Sequence, residues 1–331
     1  MPRAIQTVLI LLLVILISAC GSDPTPLPIS EAEPLPVLHL FLGTSPSIKY
    51  APFYAAEARG FFKNAGIDVR FEYGLDAEGI GLVGDGEIPF AISSGEQVLL
   101  ARDHGLPVIT ILGWYRDTPI GVLALESQGL DDPDDLAGMR IGLPDRFGAD
   151  YLALLALLNA AGLSESDINL DTIGYHQIDA LLAGDQDAVV GDIPSLSIQF
   201  YLSGNPVEVI PAADSVQLAS FGLVANQETI DDHPDLVHQM VQAVKSGIRF
   251  TITHPDEAFE LSEAYVADLG FANAAPQMDI LEASIKYYQQ DPLGYSSLEA
   301  WQNTQAMLLE MGLLTTPLDL SAAFSNDFIR D

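Results

Sequence analysis

Beyond residue 36 the chain alternates short apolar runs with stretches in which apolar residues recur every three or four positions. The runs at 37–43, 67–73, 88–92 and 108–113 are predicted strands, and 52–62, 77–83 and 95–104 are predicted helices. The same order returns downstream, with strands at 140–143, 168–175 and 188–190 and helices at 150–161 and 177–183. Strands alternating with helices imply parallel sheet joined by crossover units, hence an α/β fold. The copies share a turn, Leu82-Val83-Gly84-Asp85 and Leu182-Ala183-Gly184-Asp185, whose glycine is expected to supply the left-handed cap of a helix. Two similar lobes in tandem are the simplest account.

The runs at 120–126 and 217–226 are expected to cross between the lobes and back, making a hinge with a cleft beside it. Four helical patterns follow, at 235–253, 255–269, 276–289 and 297–311, and these are expected to pack on the first lobe. Residues 37–122 with 223–331 then form lobe 1, and 123–222 form lobe 2.

Residues 1–19 read as a secretory signal, with Arg3 before an apolar run at 8–17 that is too short to span a bilayer. Ile17-Ser18-Ala19-Cys20 follows, and Cys20 is the one cysteine of the chain. This segment resembles a bacterial lipobox, so Cys20 is the expected lipidation site, palmitate-type acylation holding the protein to the cell membrane. The stretch 20–36 carries Pro24, Pro26, Pro28, Pro34 and Pro36 and reads as an extended tether. The expected location is therefore lipid-anchored, on the extracytoplasmic face.

Charge narrows the partners. Of 331 residues, 13 are Lys or Arg and 46 Asp or Glu, for a formal net charge of -33. Charged residues total only 18%, so the acidity reflects missing cations. Nucleic-acid binding needs a cationic face and is excluded. A single cysteine excludes a disulfide scaffold.

Several motifs invite chemistry. Gly79-Ile80-Gly81-Leu82-Val83-Gly84 matches a dinucleotide fingerprint, but its third glycine falls where a short helix ends rather than where a long one begins. Ala91-Ile92-Ser93-Ser94-Gly95 sits between strand and helix like a nucleophile elbow, and a secreted serine esterase using Ser93 with Asp192 and His233 or His238 is the enzymatic alternative. The cheaper reading has Ser93 and Ser94 offering hydroxyls to a ligand, with no catalytic residue and no enzyme. Asp131-Asp132-Pro133-Asp134-Asp135 and Asp185-Gln186-Asp187 lack EF-hand spacing, so no metal site is expected.

Ligands of open α/β sheets bind beyond the carboxyl ends of the strands. The loops there carry Tyr50, Phe53, Trp114, Tyr115, Phe147 and Tyr175, of which Phe53 best suits the core. Tyr50, Trp114, Tyr115, Phe147 and Tyr175 are expected to clamp a flat ring, while Ser93, Ser94, Gln177 and Asp192 orient it. The loops offer only Lys49, Arg116 and Arg146 as cations, which disfavours an anionic ligand.

The sequence resembles the SsuA/THI5-like group of periplasmic binding proteins, the solute receptors of ABC importers. Tyr50-Ala51-Pro52-Phe53-Tyr54-Ala55-Ala56, Gly60-Phe61-Phe62 and Gly66-Ile67-Asp68-Val69 carry the resemblance. It continues in Gly86-Glu87-Ile88-Pro89-Phe90-Ala91, Ala101-Arg102-Asp103-His104-Gly105-Leu106-Pro107-Val108 and Asp134-Asp135-Leu136-Ala137-Gly138-Met139-Arg140-Ile141-Gly142. The resemblance implies a two-lobed periplasmic-binding-protein type II fold with two crossing strands and a helical C-terminal extension. It also implies an ABC permease and its ATPase as partners, and no cofactor. Members of the group collectively bind sulfonates, nitrate, thiamine pyrimidine precursors and riboflavin. The cysteine-rich motif of its pyrimidine-synthesising branch is absent here. The lipoprotein layout and cleft aromatics resemble the riboflavin-binding member, so riboflavin is the expected transported ligand. A formylaminopyrimidine-type thiamine precursor is the alternative. A purely structural adhesin or sensor input would instead show no ligand response.

Overall fold

The computed structural model describes residues 37–267, 269 and 274–330. The expected signal peptide, Cys20 and the proline-rich tether lie outside the described residues. The first lobe begins with β1 (Val37–Gly43), a 3-10 turn (Ile48–Tyr50), α1 (Ala51–Ala58), α2 (Phe61–Asn64) and β2 (Asp68–Tyr73). It continues through α3 (Asp76–Gly84), β3 (Phe90–Ser93), α4 (Gly95–Asp103) and β4 (Val108–Gly113). The second lobe holds β5 (Ile120–Leu125), β6 (Arg140–Leu143), α5 (Gly148–Ala160), β7 (Asn169–Thr172) and α6 (Gln177–Leu182). It closes with β8 (Ala188–Asp192), α7 (Ile193–Leu202), β9 (Val207–Pro211) and α8 (Ala212–Ser215). The chain then returns in β10 (Gly222–Asn226), followed by α9 (Gln227–Asp232), α10 (Pro234–Thr253), α11 (Pro255–Ser262), α12 (Ala274–Tyr288) and α13 (Leu298–Glu310).

Two five-stranded sheets result, ordered β2-β1-β3-β10-β4 and β7-β6-β8-β5-β9. In each the first three strands are parallel, and an antiparallel strand enters beside the third. That antiparallel strand is the one just delivered by a crossing. β10 returns from the second lobe and pairs Gly222 with both Ser93 and Gly113. β5 leaves the first lobe and pairs Ile120 with Asp192 and Gly121 with Pro211. The expected lobe boundary after residue 122 thus falls inside β5, whose whole length is paired in the second sheet. The crossings hold each other: Trp114 N and Tyr115 N donate to the Phe221 carbonyl at 2.9 and 3.0 Å.

The period-two rule sorts the buried strand residues onto two faces. On the first sheet, Leu40, Leu42, Phe90, Ile92, Leu223 and Ala225 join the core under α1, α10 and α12. Phe41, Ala91 and Val224 turn the other way, toward α3, α4 and α13. The second sheet divides likewise, with Val122, Ala188 and Val190 on one face and Leu123 and Val189 on the other. β4 is buried at all six positions and is apolar apart from Thr110. α10 is amphipathic instead, burying Val237, Met240, Val241, Val244 and Ile248.

Local expectations change in several places, and the helix expected at 255–269 ends at Ser262. Gly184 has the expected left-handed φ of 73°, but its counterpart Gly84 ends α3 against Leu106, and the left-handed residue there is Gly86 at 74°. Strand β7 stops at Thr172, leaving Tyr175 in a loop. α7 and β9 are additional to the predicted elements. Two glycines of the false dinucleotide motif are packing residues, Gly79 lying against Phe41 and Gly84 against Leu106, while Gly81 faces open space. Asp132 and Asp135 form a capping box around the 3-10 turn Pro133–Leu136.

Candidate ligand-binding cleft

A cavity of about 1040 Å³ opens between the lobes, at the upper end of the roughly 300–1,000 Å³ typical of small-molecule sites. Its walls come from the carboxyl ends of matching strands. Leu42 and Gly43 end β1 with Thr44 just beyond, Asp76 and Ala77 follow β2, and Ile92 lies in β3 with Glu96 after it. Pro144, Asp145 and Phe147 to Asp150 follow β6, Gly174 to Asp179 follow β7, and Gly191 and Asp192 end β8.

Five of the expected residues line this cavity: Tyr50, Phe147, Tyr175, Gln177 and Asp192. Tyr50 stands on the first lobe, where the 3-10 turn meets α1. Its ring fits because residue 43 is glycine, since any added Cβ there would overlap the Tyr50 hydroxyl. Burial lifts the Tyr50 hydroxyl to about 12, so it stays a neutral donor. Phe147 and Tyr175 face it from the second lobe and are 63% and 75% exposed, which sets them at the rim. Gln177 is buried and donates to the Val190 carbonyl at 3.4 Å.

Trp114, Tyr115, Ser93 and Ser94 do not line the cavity. Trp114 and Tyr115 are 2% and 6% exposed and belong to the first-lobe core. They follow β4, an edge strand separated from β3 by β10, so their loop runs to the hinge rather than into the cleft. Trp114 instead supports Tyr50 from behind, with ring centroids 5.7 Å apart, and meets Phe53 edge-on at 5.0 Å. Ser93 and Ser94 are fully buried behind Asp76, and Ser94 Oγ donates to Asp76 Oδ2 at 3.0 Å.

The esterase arrangement is not assembled. Ser93 has no exposure, Asp192 is committed to Lys49 and Ser195, and His238 Nε2 lies 3.4 Å from the Arg330 carbonyl in the C-terminal tail. Among the described residues no cluster of His, Cys, Asp or Glu is arranged to hold a metal ion.

Carboxylates are prominent in the polar lining, and beyond Asp192 they carry no signal in the sequence. Glu96 is 3% exposed, and burial together with Asp76 lifts its pKa to about 7. Burial also raises Asp76, against the hydrogen bonds that hold it down. On the second lobe, burial and then Asp192 lift Asp150 to about 6. Each of these lies in the first turn of a helix, where a carboxylate ordinarily complements the dipole at the surface. Nothing in the residue pattern distinguishes that use from a cavity wall.

Lys49 is the one lysine among the lining residues, and no arginine lines the cavity. Its Nζ lies 3.4 Å from Asp192 Oδ2 on the opposite lobe. Burial works against its charge, but Asp192, Tyr50 and Asp150 outweigh that and raise its pKa. Arg116 pairs with Asp117 and Arg146 with Glu165, outside the cavity.

The chain is 33% identical, over 96% of each sequence, to riboflavin-binding protein RibY of Chloroflexus aurantiacus. It is 24% identical to the formylaminopyrimidine-binding protein of Halalkalibacterium halodurans, over 98% of this chain and 99% of that one. The solved aliphatic sulphonate binding protein SsuA of Escherichia coli superposes with a TM-score of 0.71 at 14% identity, over 88% of this chain and 92% of that one. That likeness is one of fold, the two-lobed periplasmic-binding-protein arrangement. A family model described as NMT1/THI5 like matches residues 47–258, and the chain belongs to that family.

Proposed function

We propose that this protein is the extracytoplasmic solute-binding component of an ABC importer, tethered through an acylated Cys20, and that it captures riboflavin between its lobes. The observation that carries this reading is the cavity itself. It is walled by aromatics from both lobes, and its single lysine is already neutralised by Asp192. A sulfonate or nitrate would need a free cation there, whereas a neutral planar heterocycle would not. Tyr50 on one lobe and Phe147 and Tyr175 on the other would stack on the isoalloxazine, each stack adding roughly 0.5–1.5 kcal/mol beyond burial. The name of the RibY relative supports the same ligand.

The mechanism is closure. Ligand settles on one lobe, the two crossing strands flex, and the opposite lobe completes the cavity. The closed form docks on a permease and its ATPase, and no covalent bond changes. Flavin fluorescence titration of the purified protein tests this, with quenching expected at micromolar or lower concentration. An absent flavin response beside a clear response to formylaminopyrimidine would move the ligand to the thiamine-precursor alternative, which the second relative favours.

A further inference from the structure

Resting on the receptor reading, we infer that the cavity is polarised: the Asp76–Glu96 carboxyl pair on the first lobe receives the ligand's polyhydroxyl chain, while Phe147 and Tyr175 hold its ring at the rim. Glu96 lines the cavity with 97% of its surface withdrawn from solvent. Asp76 Oδ1 is buried and has no hydrogen-bond partner, its other oxygen being taken by Ser94. A buried acceptor left unpaired costs stability unless a donor arrives to meet it. Asp76 lines the cavity, so a ligand hydroxyl can supply that donor, beside the buried Ser93 hydroxyl, which is likewise without a partner.

On the opposite wall Asp192 is already occupied. Asp192 Oδ1 accepts from Ser195 N at 3.0 Å and from the Ser195 hydroxyl, and Oδ2 faces Lys49. Ionised carboxyl oxygens only accept, so they repel the carbonyl and ring-nitrogen edges of an isoalloxazine and suit neighbouring hydroxyls, each able to donate. Burial and the neighbouring Asp76 also favour a proton on Glu96. A neutral hydroxyl chain can donate to an ionised oxygen and accept from a protonated one, whereas a cationic ligand would require both to be ionised.

The test compares riboflavin with lumiflavin, which keeps the ring and replaces the ribityl chain by methyl, on the wild-type protein, Asp76→Asn and Glu96→Gln at pH 7.5. The wild type is expected to bind riboflavin at least about 30-fold more tightly than lumiflavin, some 2 kcal/mol. Either variant should cut that ratio to below about fivefold by weakening riboflavin alone, with an unchanged melting profile or a raised one confirming folding. If both flavins bind the wild type but the ratio survives in both variants, or if both flavins weaken together, the polyol assignment is overturned and the receptor reading stands. If neither flavin binds the wild type, the riboflavin reading fails and the assignment with it.

Discussion

Lys49 Nζ and Asp192 Oδ2 stand 3.4 Å apart across the cleft, one on each lobe. The contact is partly shielded, the side chains being 30% and 17% exposed. Its strength therefore lies between that of exposed pairs, about 0.2–1 kcal/mol, and the 3–5 kcal/mol lost when a buried pair is broken. Asp192 also caps α7 through Ser195, so the anion is held rigidly while the lysine approaches it.

The pair should act as a latch. Lys49→Gln removes this ion pair across the cleft, so the open form gains. We expect ligand affinity to fall about tenfold, equivalent to 1.4 kcal/mol. The radius of gyration should rise in small-angle scattering, and unchanged affinity and radius would remove the latch.

Tyr50 should contribute more to binding than Trp114. Tyr50→Ala is expected to weaken flavin binding about tenfold, a loss near the upper end of one aromatic stack with its burial. Trp114→Phe should leave affinity within about threefold, because the Trp114 ring lies behind Tyr50 and its buried Nε1 has no hydrogen-bond partner to lose. Equilibrium titration of both variants decides the order.

Gly43→Ala probes the same ring from below. The new methyl group would overlap the Tyr50 hydroxyl, so the ring must shift toward the cavity. Affinity should fall at least fivefold, and isothermal calorimetry showing wild-type binding would contradict the placement of Tyr50.

Stability should rise on mild acidification. Burial and Asp76 place Glu96 at about 7, and burial and Asp192 place Asp150 at about 6, both above ordinary carboxyl values. A carboxyl whose pKa rises on folding binds more protons in the native state, so native stability grows as pH falls through the folded pKa. Between pH 8 and pH 5 the Tm should climb by about 3–6 °C. Glu96→Gln should melt above the wild type at pH 8, with the gap closing near pH 5. Scanning calorimetry that found the wild type losing stability across this window would reverse the sign and defeat the argument.

Much of the fold was legible because local pattern and topology agree. β4 at Val108–Gly113 and β6 at Arg140–Leu143 coincide with the predicted runs, and both crossings fall where the repeat is interrupted. Strand order was not legible. Trp114 and Tyr115 follow a strand as Tyr50 does, yet the insertion of β10 between β3 and β4 carries their loop away from the cleft. The same limit hid Asp76, Glu96 and Asp150, which look in sequence like ordinary first-turn carboxylates. Only the meeting of two lobes turns them into a lining.

The exchange of β5 and β10 between the sheets bears on how the protein matures. Every strand of the second sheet lies within one continuous stretch, Ile120 to Pro211, whereas the first sheet is incomplete until Gly222–Asn226 has been made. Its helical cover ends later still, with the Ile329 carbonyl held by Lys245. Domains fold as units once their residues are available. The lobe that comes second in sequence is therefore the one able to fold first, while the N-terminal strands wait.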